Sequence, residues 1–360
     1  ARSVAARALL ETESFGPLAL FLPSAGKAGA SLLRIHRVAA ALRPLGWRTV
    51  LLPPTLTLTE RQKIIAGLSP DVLVMQGVRH ALNRPQYYPG QPIVMDMDDA
   101  DFHLPHLAGP LRRALPRTRL VIAGSDYVAR WCRASGARSE TVWTGTPVSP
   151  SPRPPQAGRP PVIAWAQTRP MTYTREADIV RNATRAIAAA RPGTVLRLYD
   201  RCAGDDPGFA ESFASPGLTV EWRKAMPYDR YLASFDDVRI GFAPLAPETP
   251  FSRGKSFGKV LAYLDRMVPV VASDACEHGR FFAEGTGVLS NDPEDWVKDA
   301  LRLLDDPSAR QSMAETAFWA FQTRLTTAAA AEQVDGLLRQ VVLEARTRLR
   351  GSAASRAVAR

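Results

Sequence analysis

The feature that most restricts the fold is a series of short apolar runs, most of them separated by enough chain for a helix. Six runs lie before residue 146 and six after residue 160. They are rich in Val, Ile, Leu and Ala without polar alternation, which is typical of strands buried on both faces of a parallel sheet. The pattern predicts an α/β protein with two doubly wound, Rossmann-like domains in tandem. The runs are residues 18–23, 48–53, 71–76, 92–98, 119–125, 140–145, 161–167, 194–200, 218–224, 238–245, 268–274 and 287–290.

Proline density separates the two series of runs. The stretch TPVSPSPRPPQAGRPP, residues 146–161, cannot form a helix interior or a central strand, because proline lacks an amide hydrogen and fixes φ. We therefore predict a stiff, extended hinge at 149–161. It divides an N-terminal domain, 1–148, from a C-terminal domain, 162–325.

Helical periodicity replaces the strand pattern after the last apolar run. Residues 294–306, 308–325 and 328–349 carry apolar side chains at intervals of three and four. The last segment, 326–360, combines this periodicity with a basic tail from Arg339 onward. The alternatives for this tail are contact with anionic lipid headgroups and a solvated, frayed terminus.

Composition excludes several classes of protein. The net charge of +11 comes from a chain with only six lysines and abundant Arg, Ala and Pro, and no basic stripe alternates with aromatics, so we do not expect nucleic-acid binding. No apolar run reaches the roughly 18–20 residues that span a bilayer. The cysteines Cys132, Cys202 and Cys276 show no metal-ligand or disulfide spacing, so we expect a reduced, cytoplasmic protein. Residues 1–15 lack an apolar signal region and predict an amphipathic lead-in helix.

A basic loop at the carboxyl edge of the second sheet is the strongest candidate site. Residues 244–256 join a strand to a predicted helix, and Lys259 should lie one turn further on the same helix face as Lys255. Free amide groups at a helix start together with cationic side chains bind phosphate. The residues predicted to bind a phosphate or diphosphate are Arg253, Gly254, Lys255, Ser256 and Lys259.

An acidic run in the first half of the chain supports two alternatives. Asp96 and Asp98 follow an apolar strand in MDMDDADFHLPHL, with His103 close behind. An Asp-x-Asp pair at a strand end could hold Mg²⁺ or Mn²⁺, which prefer carboxylate oxygens. The pair lies far in sequence from the basic loop, which favours a polar lining without a metal.

The segments SRGKSFGKVLAYLDRMVPVVASD and GTGVLSNDPEDWVKDALRLLDDPSARQSM resemble the C-terminal domain of GT-B nucleotide-sugar glycosyltransferases of the family 4 type. RLVIAGSDYVARWCRASGARSETVWTGTPV is similar to the end of their N-terminal domain. The resemblance implies a GT-B fold whose last helix crosses back to the first domain. It also implies a nucleotide-diphosphate sugar such as a UDP- or GDP-sugar in the second domain, an acceptor at the first, and a retaining, metal-independent transfer without a cofactor.

One departure from the family concerns two glutamates eight residues apart, which here fall on Gly254 and Ala262. The second glutamate commonly holds the ribose of the donor. Asp265 lies about one turn beyond Ala262 and could supply the missing carboxylate. Alternatively, Asp265 is a solvent-facing helix residue without this role. Glu248, in the loop ahead of Arg253, is a candidate catalytic residue through contact with the donor sugar.

Further site residues follow from positions at the predicted strand ends. In a GT-B protein Arg34 could touch the donor diphosphate, although Ser31 and Arg34 also fit a plain helix start. His103 and Asp98 could orient an acceptor hydroxyl as catalytic groups, and Gln76 and Arg79 follow another strand without an assigned role. Three residues are predicted for the donor in the second domain: Thr168, Arg169 and Met226.

Two hypotheses follow from these residues. The first is a cytoplasmic glycosyltransferase for surface polysaccharide, glycolipid or glycoprotein synthesis, with a carbohydrate, lipid-linked or protein acceptor and contact with the inner face of the membrane through the tail. The second is a degenerate GT-B protein that binds a nucleotide or a partner without catalysis.

Overall fold

The computed structural model describes residues 16–200, 207–282 and 285–358, with two compact units in the chain. The predicted lead-in helix, Cys202 and the end of the basic tail lie outside the described residues. The first unit is Ala1–Pro147, Gly254–Ser256 and Thr326–Arg360, and the second unit is Val148–Arg253 and Phe257–Leu325.

Each of the twelve apolar runs overlaps a strand, although β6 begins one residue before its run and ends at Thr141, and this confirms the α/β prediction. The strands are β1 Leu18–Leu22, β2 Arg48–Leu51, β3 Val72–Gln76, β4 Ile93–Met97, β5 Leu120–Ala123, β6 Ser139–Thr141, β7 Val162–Ala166, β8 Thr194–Tyr199, β9 Leu218–Arg223, β10 Ile240–Ala243, β11 Val270–Ala272 and β12 Val288–Leu289.

The helices occupy most of the connections between strands. The first, α1, starts as the π-helical turn Ser31–His36 and continues as the α-helix Arg37–Leu42. The others are α2 Leu58–Leu68, α3 Pro105–Ala114, α4 Asp126–Ala134, α5 Thr174–Ala190, α6 Pro207–Glu211, α7 Tyr228–Ala233, α8 Leu261–Asp265, α9 His278–Phe281, α10 Pro293–Asp305, α11 Pro307–Arg324 and α12 Thr327–Val358.

The first unit is built on a parallel sheet with strand order β2-β1-β3-β4-β5-β6. The order reverses between β1 and β3, and ligands of open α/β sheets bind beyond the carboxyl ends of the strands at such a reversal. The loops after β1 and β3 are therefore the expected position of a site in this unit.

The C-terminal helix α12 belongs to the first unit, as predicted for a helix that returns to the first domain. It packs on α1, and Val334 and Leu338 share a buried cluster with Val38 and Leu42. Trp47 Nε1 donates a hydrogen bond of 2.6 Å to Asp335 of this helix. This apolar contact and its buried indole fix the helix on the unit.

Two residues of the predicted basic tail are engaged in ion pairs. Arg339 lies 2.7 Å from Asp335, and Arg346 lies 2.7 Å from Asp71. The described part of α12 therefore uses some of its positive charge within the first unit. No helix among the described residues is both long and apolar enough to cross a membrane.

The second unit has a parallel sheet of order β12-β11-β10-β7-β8-β9, with its reversal between β7 and β10. Counted from β7, this is the dinucleotide-binding order 3-2-1-4-5-6. Helices α5 and α10 cover one face, where Trp165, Ile187 and Trp296 lie in one buried cluster.

The proline-rich stretch 149–161 contains no helix or strand, as its composition predicts. Its contacts lie within the second unit: Ser149 N donates to Asp265 Oδ1 at 2.8 Å, and Arg159 donates to the carbonyl of Val238 at 2.7 Å. The stretch contains a turn at Gly158 and is hydrogen-bonded to other parts of the second unit, and its role as a hinge stays a prediction.

Candidate functional site

A cavity of about 260 Å³ lies at the reversal point of the first unit. It is formed where β1, β3 and β4 end, so three loops contribute polar groups to one small space. Most of its polar lining comes from side chains that the sequence placed at strand ends. The cavity is lined by Ser24, Ala25, Ala28, Ala30, Ser31, Gln76, Gly77, Arg79, Asp96, Met97, Asp98, Asp99 and Asp101.

A buried ion pair joins α1 to the end of β4 beside this cavity. Arg34 NH2 lies 2.7 Å from Asp96 Oδ1, and their side chains are 4% and 5% exposed. Arg34 also donates to the carbonyl of Val142 at 2.9 Å and to Thr144 Oγ1 at 3.0 Å. Burial lowers the pKa of Arg34, but the attraction of Asp96 and Asp98 outweighs it and leaves the pKa raised. The guanidinium of Arg34 is thus buried and bonded to the protein, and its contact with a diphosphate stays a prediction.

Asp98 is the carboxylate with an available oxygen. Its Oδ1 accepts from Ser256 Oγ at 2.8 Å and from Thr144 Oγ1 at 3.0 Å. Its Oδ2 has no partner among the described residues, and the side chain is 19% exposed in the cavity lining. Ser256, for which phosphate binding stays a prediction, holds this aspartate together with Thr144, which no sequence motif singled out.

A chain of ion pairs runs along one side of the cavity. Lys255 Nζ lies 3.2 Å from Asp99, and Arg79 lies 2.8 Å from Asp99 and 2.5 Å from Asp101. Burial acts to raise the pKa of Asp99, but the attraction of Lys255 and Arg79 is larger and lowers it. Burial raises the pKa of Asp101. Lys255, for which phosphate binding stays a prediction, forms an ion pair within the first unit.

Gln76, the last residue of β3, is held in one orientation by three donors. Its Oε1 accepts from the amide of Ser24 at 2.9 Å, from Ser24 Oγ at 2.9 Å and from Ser31 Oγ at 2.6 Å. Because a backbone amide can only donate, the accepting atom must be the oxygen, and Nε2 is the remaining polar atom. Gln76 is 7% exposed and lines the cavity.

His103 lies at the exposed end of an aromatic cluster. Its Nε2 is 2.9 Å from Tyr127 Oη, and Phe102 stacks on Trp131 with ring centroids 4.1 Å apart. His103 is not a lining residue of the cavity that contains Asp98. Of the three predicted catalytic residues, Asp98 alone lines this cavity, and Glu248 lies in the second unit.

The reversal point of the second unit carries a lysine at the end of β7. Lys259 Nζ donates to Thr168 Oγ1 at 2.5 Å, and Thr168 and Arg169 are exposed. Arg253 is exposed, and its Nε donates to the carbonyl of Pro247 at 2.6 Å within the same loop. These four residues supply three cationic groups and a hydroxyl at the carboxyl edge of a sheet with Rossmann strand order.

The predicted helix start around Lys255 is wrong. Residues Ser252–Gly254 and Phe257–Lys259 form 3₁₀ turns, and the α-helix begins only at Leu261 and is five residues long. Lys255 and Lys259 therefore share no helix face, and their observed partners, Asp99 and Thr168, belong to different units. The dipole of a long helix cannot contribute to anion binding at this loop.

Glu248 is exposed in a groove of about 1090 Å³ in the second unit. The groove lies between α5 and α10 and the loop after β10. Glu176, buried at the start of α5, accepts from Ser252 Oγ at 2.9 Å and so ties this loop to the helix. Met226, predicted to contact the base, is half-buried after β9 and does not line this groove.

Asp265 cannot substitute for the missing glutamate in this conformation. Its side chain is 0% exposed, accepts from Ser149 N at 2.8 Å and pairs with Arg153 at 3.2 Å. Ala262 is buried in the same helix. The sequence correctly placed Asp265 in a helix, but that side chain fixes the proline-rich stretch.

Gly254 has no room for a side chain, whereas Gly258, a glycine of the same loop that serves as a control, has room for one. A Cβ at Gly254 would lie 2.5 Å from Ala100 Cβ and 2.9 Å from Ala100 N, whereas a Cβ at Gly258 would meet nothing within 4 Å. We expect Gly254→Ala to lower the free energy of unfolding by about 1–3 kcal/mol through overpacking, and Gly258→Ala to change it little. Urea unfolding of the full chain measures both, and equal stability of the two variants would contradict the tight contact. Restoring the family's glutamate at 254 should be still more destabilising.

Comparison with known proteins places this geometry in a fold. No protein-family model and no curated protein matches the chain. Sucrose-phosphate synthase from Thermosynechococcus elongatus matches with a TM-score of 0.64 and 15% identity over 91% of this chain and 100% of that one. HepE of Anabaena in complex with UDP-glucose matches with a TM-score of 0.62 and 14% identity over 90% and 99%. A Listeria monocytogenes protein assigned as a UDP-N-acetylglucosamine 2-epimerase has a TM-score of 0.56 and 14% identity over 89% and 94%.

These likenesses establish that the chain has the GT-B fold, with two parallel six-stranded sheets and flanking helices. At such identities they define the fold alone, so activity must be argued from the site.

Proposed function

We propose that this protein is a nucleotide-sugar glycosyltransferase of the family 4 type that retains the anomeric configuration and needs no metal ion. The observation that carries the proposal is the edge of the second sheet, where Lys259 is bonded to Thr168 and where Arg169 and Arg253 are exposed. Cationic side chains at the reversal point of a dinucleotide-binding sheet suit a diphosphate. HepE, which has this fold over most of its length, was crystallised with UDP-glucose.

These cations would act on the charge that develops during transfer. The bond between the sugar C1 and the diphosphate oxygen breaks, and the bonding pair leaves with the diphosphate. A new bond forms between C1 and an acceptor oxygen, whose proton is released to solvent. Lys259 and Arg253 of the second unit would stabilise the departing diphosphate, a role that a metal ion has in other enzymes.

A second candidate is a protein that binds the nucleotide-sugar without turnover. Gly254 and Ala262 stand where the family has glutamates, the space at Gly254 is closed by Ala100, and Asp265 is buried. No carboxylate of α8 is therefore available to a donor ribose. The Listeria monocytogenes protein of the same fold is assigned as a UDP-N-acetylglucosamine 2-epimerase. The fold alone therefore does not imply glycosyl transfer.

The acceptor in this proposal is a carbohydrate, a lipid-linked sugar or a protein, used in surface polysaccharide, glycolipid or glycoprotein synthesis. The first unit would bind it. We place the activity in the cytoplasm, with the basic end of α12 as the segment that would contact the inner face of a membrane.

Calorimetric titration with UDP-, GDP-, ADP- and CMP-sugars, with and without EDTA, tests the proposal. One nucleotide should bind selectively and with the same affinity in EDTA, and at a hundredfold excess over Kd it should stabilise the fold by about 2.7 kcal/mol. Loss of binding in EDTA would contradict the metal-independent site, and absence of binding by every nucleotide would contradict both candidates. Binding without release of nucleoside diphosphate, with a cell-envelope extract as acceptor source, would favour the second candidate.

A further inference from the structure

The cavity of the first unit contains a polar group that the protein itself leaves without a partner. The three side-chain hydrogen bonds of Gln76 are all accepted by Oε1, and Nε2 has no partner among the residues described by the structure. Gln76 is more than nine-tenths buried and lines the cavity. A ligand that accepts from Nε2 gains a hydrogen bond that the protein does not supply.

An acceptor oxygen lines the same cavity. Ser256 and Thr144 both donate to Asp98 Oδ1, which leaves Oδ2 without a partner in the described part of the chain. The cavity therefore presents a fixed donor and a fixed acceptor within about 260 Å³. Hydroxyl groups both donate and accept, so neighbouring hydroxyls on one ring match this pair.

Charge around the cavity disfavours an anion. Four aspartates, Asp96, Asp98, Asp99 and Asp101, face three cations, and each of those cations is already in an ion pair. The available oxygen belongs to a carboxylate, which would repel a phosphate. The volume is also below the roughly 300–1,000 Å³ of pockets for drug-sized ligands.

We infer that this cavity is a binding subsite for one neutral, hexose-sized sugar residue, whose hydroxyls accept from Gln76 Nε2 and donate to Asp98 Oδ2. The inference rests on the proposed function only in identifying this sugar as part of the acceptor. It makes the acceptor a neutral carbohydrate at the point of contact and excludes a phosphate group there.

Two conservative substitutions reverse the polarity of the cavity while keeping its internal bonds. Gln76→Glu retains an oxygen for Ser24 and Ser31 and replaces the amide donor by an acceptor. Asp98→Asn retains Oδ1 for Ser256 and Thr144 and replaces Oδ2 by a donor. The matched control is Gln333→Glu, which adds the same charge on the exposed face of α12.

Saturation-transfer NMR and calorimetry with methyl glycosides of glucose, galactose, mannose and N-acetylglucosamine test the inference. We expect at least one glycoside to bind the wild type at millimolar concentration and inorganic phosphate and glycerol 3-phosphate not to bind. Gln76→Glu and Asp98→Asn should each weaken the glycoside at least tenfold, and Gln333→Glu should not.

Binding by none of the four glycosides, binding of a phosphate compound in their place, or wild-type affinity in both variants would overturn the inference. Titration of the same samples with UDP- and GDP-sugars separates the two proposals. Nucleotide-sugar binding without glycoside binding rejects the subsite alone, whereas glycoside binding without nucleotide-sugar binding rejects the proposed function alone. Retained nucleotide-sugar binding in the variants also shows that they are folded.

Discussion

Arg34→Met is expected to lower the free energy of unfolding by about 3–5 kcal/mol, because it leaves the buried carboxylate of Asp96 without its cation. Arg34 donates to both oxygens of Asp96 and also to the carbonyl of Val142, so the substitution leaves several acceptors unpaired. Methionine retains most of the volume, which confines the effect to charge and hydrogen bonding. Equilibrium unfolding in urea, followed by tryptophan fluorescence, measures the loss.

Two variants separate this explanation from general disruption. Arg34→Met combined with Asp96→Leu removes both charges and should recover much of the lost stability, since an apolar pair of similar volume replaces the ion pair. Arg130→Met breaks the exposed pair with Asp126 and should cost at most about 1 kcal/mol. Arg34→Met could instead prove as stable as Arg130→Met and lose affinity for the nucleotide-sugar. That result would reject the structural role of Arg34 and support the donor contact suggested by the sequence.

Lys259→Ala is expected to weaken nucleotide-sugar binding by about 10- to 150-fold, the loss expected for one hydrogen bond to a charged group of about 1.5–3 kcal/mol. The ammonium lies at the end of β7 on Thr168 Oγ1, at the reversal point of the second sheet. A diphosphate there would gain a charge-assisted bond from it. Calorimetry with the nucleotide-sugar selected by the first titration measures the change.

Charge and position are distinguished by three matched variants. Lys259→Arg keeps the charge and should retain most of the affinity, and Thr168→Val removes only the hydroxyl that holds the lysine. Lys63→Ala removes an exposed lysine of the first unit and should leave the affinity unchanged. Unchanged affinity in Lys259→Ala would reject the placement of the donor diphosphate at this edge.

Local pattern was sufficient for the elements of the fold. Runs such as 92–98 and 194–200 contain strands, because a short segment that is apolar on both faces can be buried with its backbone hydrogen bonds made inside a parallel sheet. The signal lies in a few adjacent residues, so it can be read from the local sequence. The helices after Leu289 were likewise predicted from their period, within one or two residues at their starts. The strand order of the first sheet, with its reversal between β1 and β3, was not contained in any local pattern.

The sequence predicted the residue types of the candidate site but not their protein partners. Sequence placed Arg34, Lys255 and Asp265 at strand or helix ends, where charged side chains commonly meet ligands. In the structure each binds a protein group distant in sequence: Arg34 pairs with Asp96, Lys255 with Asp99 and Asp265 with Arg153.

The sequence by itself therefore determined where the strands lie, the helices after Leu289, the proline-rich stretch and the chemical types available at each strand end. Only the tertiary structure decided which of those groups remain available to a ligand. The physical reason is that a charge is neutralised by whatever lies within about 4 Å of it, and folding brings residues 62 or 156 positions apart to that distance. Gln76 and Asp98 are the opposite case. Both residues line the cavity, and one polar atom of each side chain is bonded to the protein while the other has no partner among the described residues.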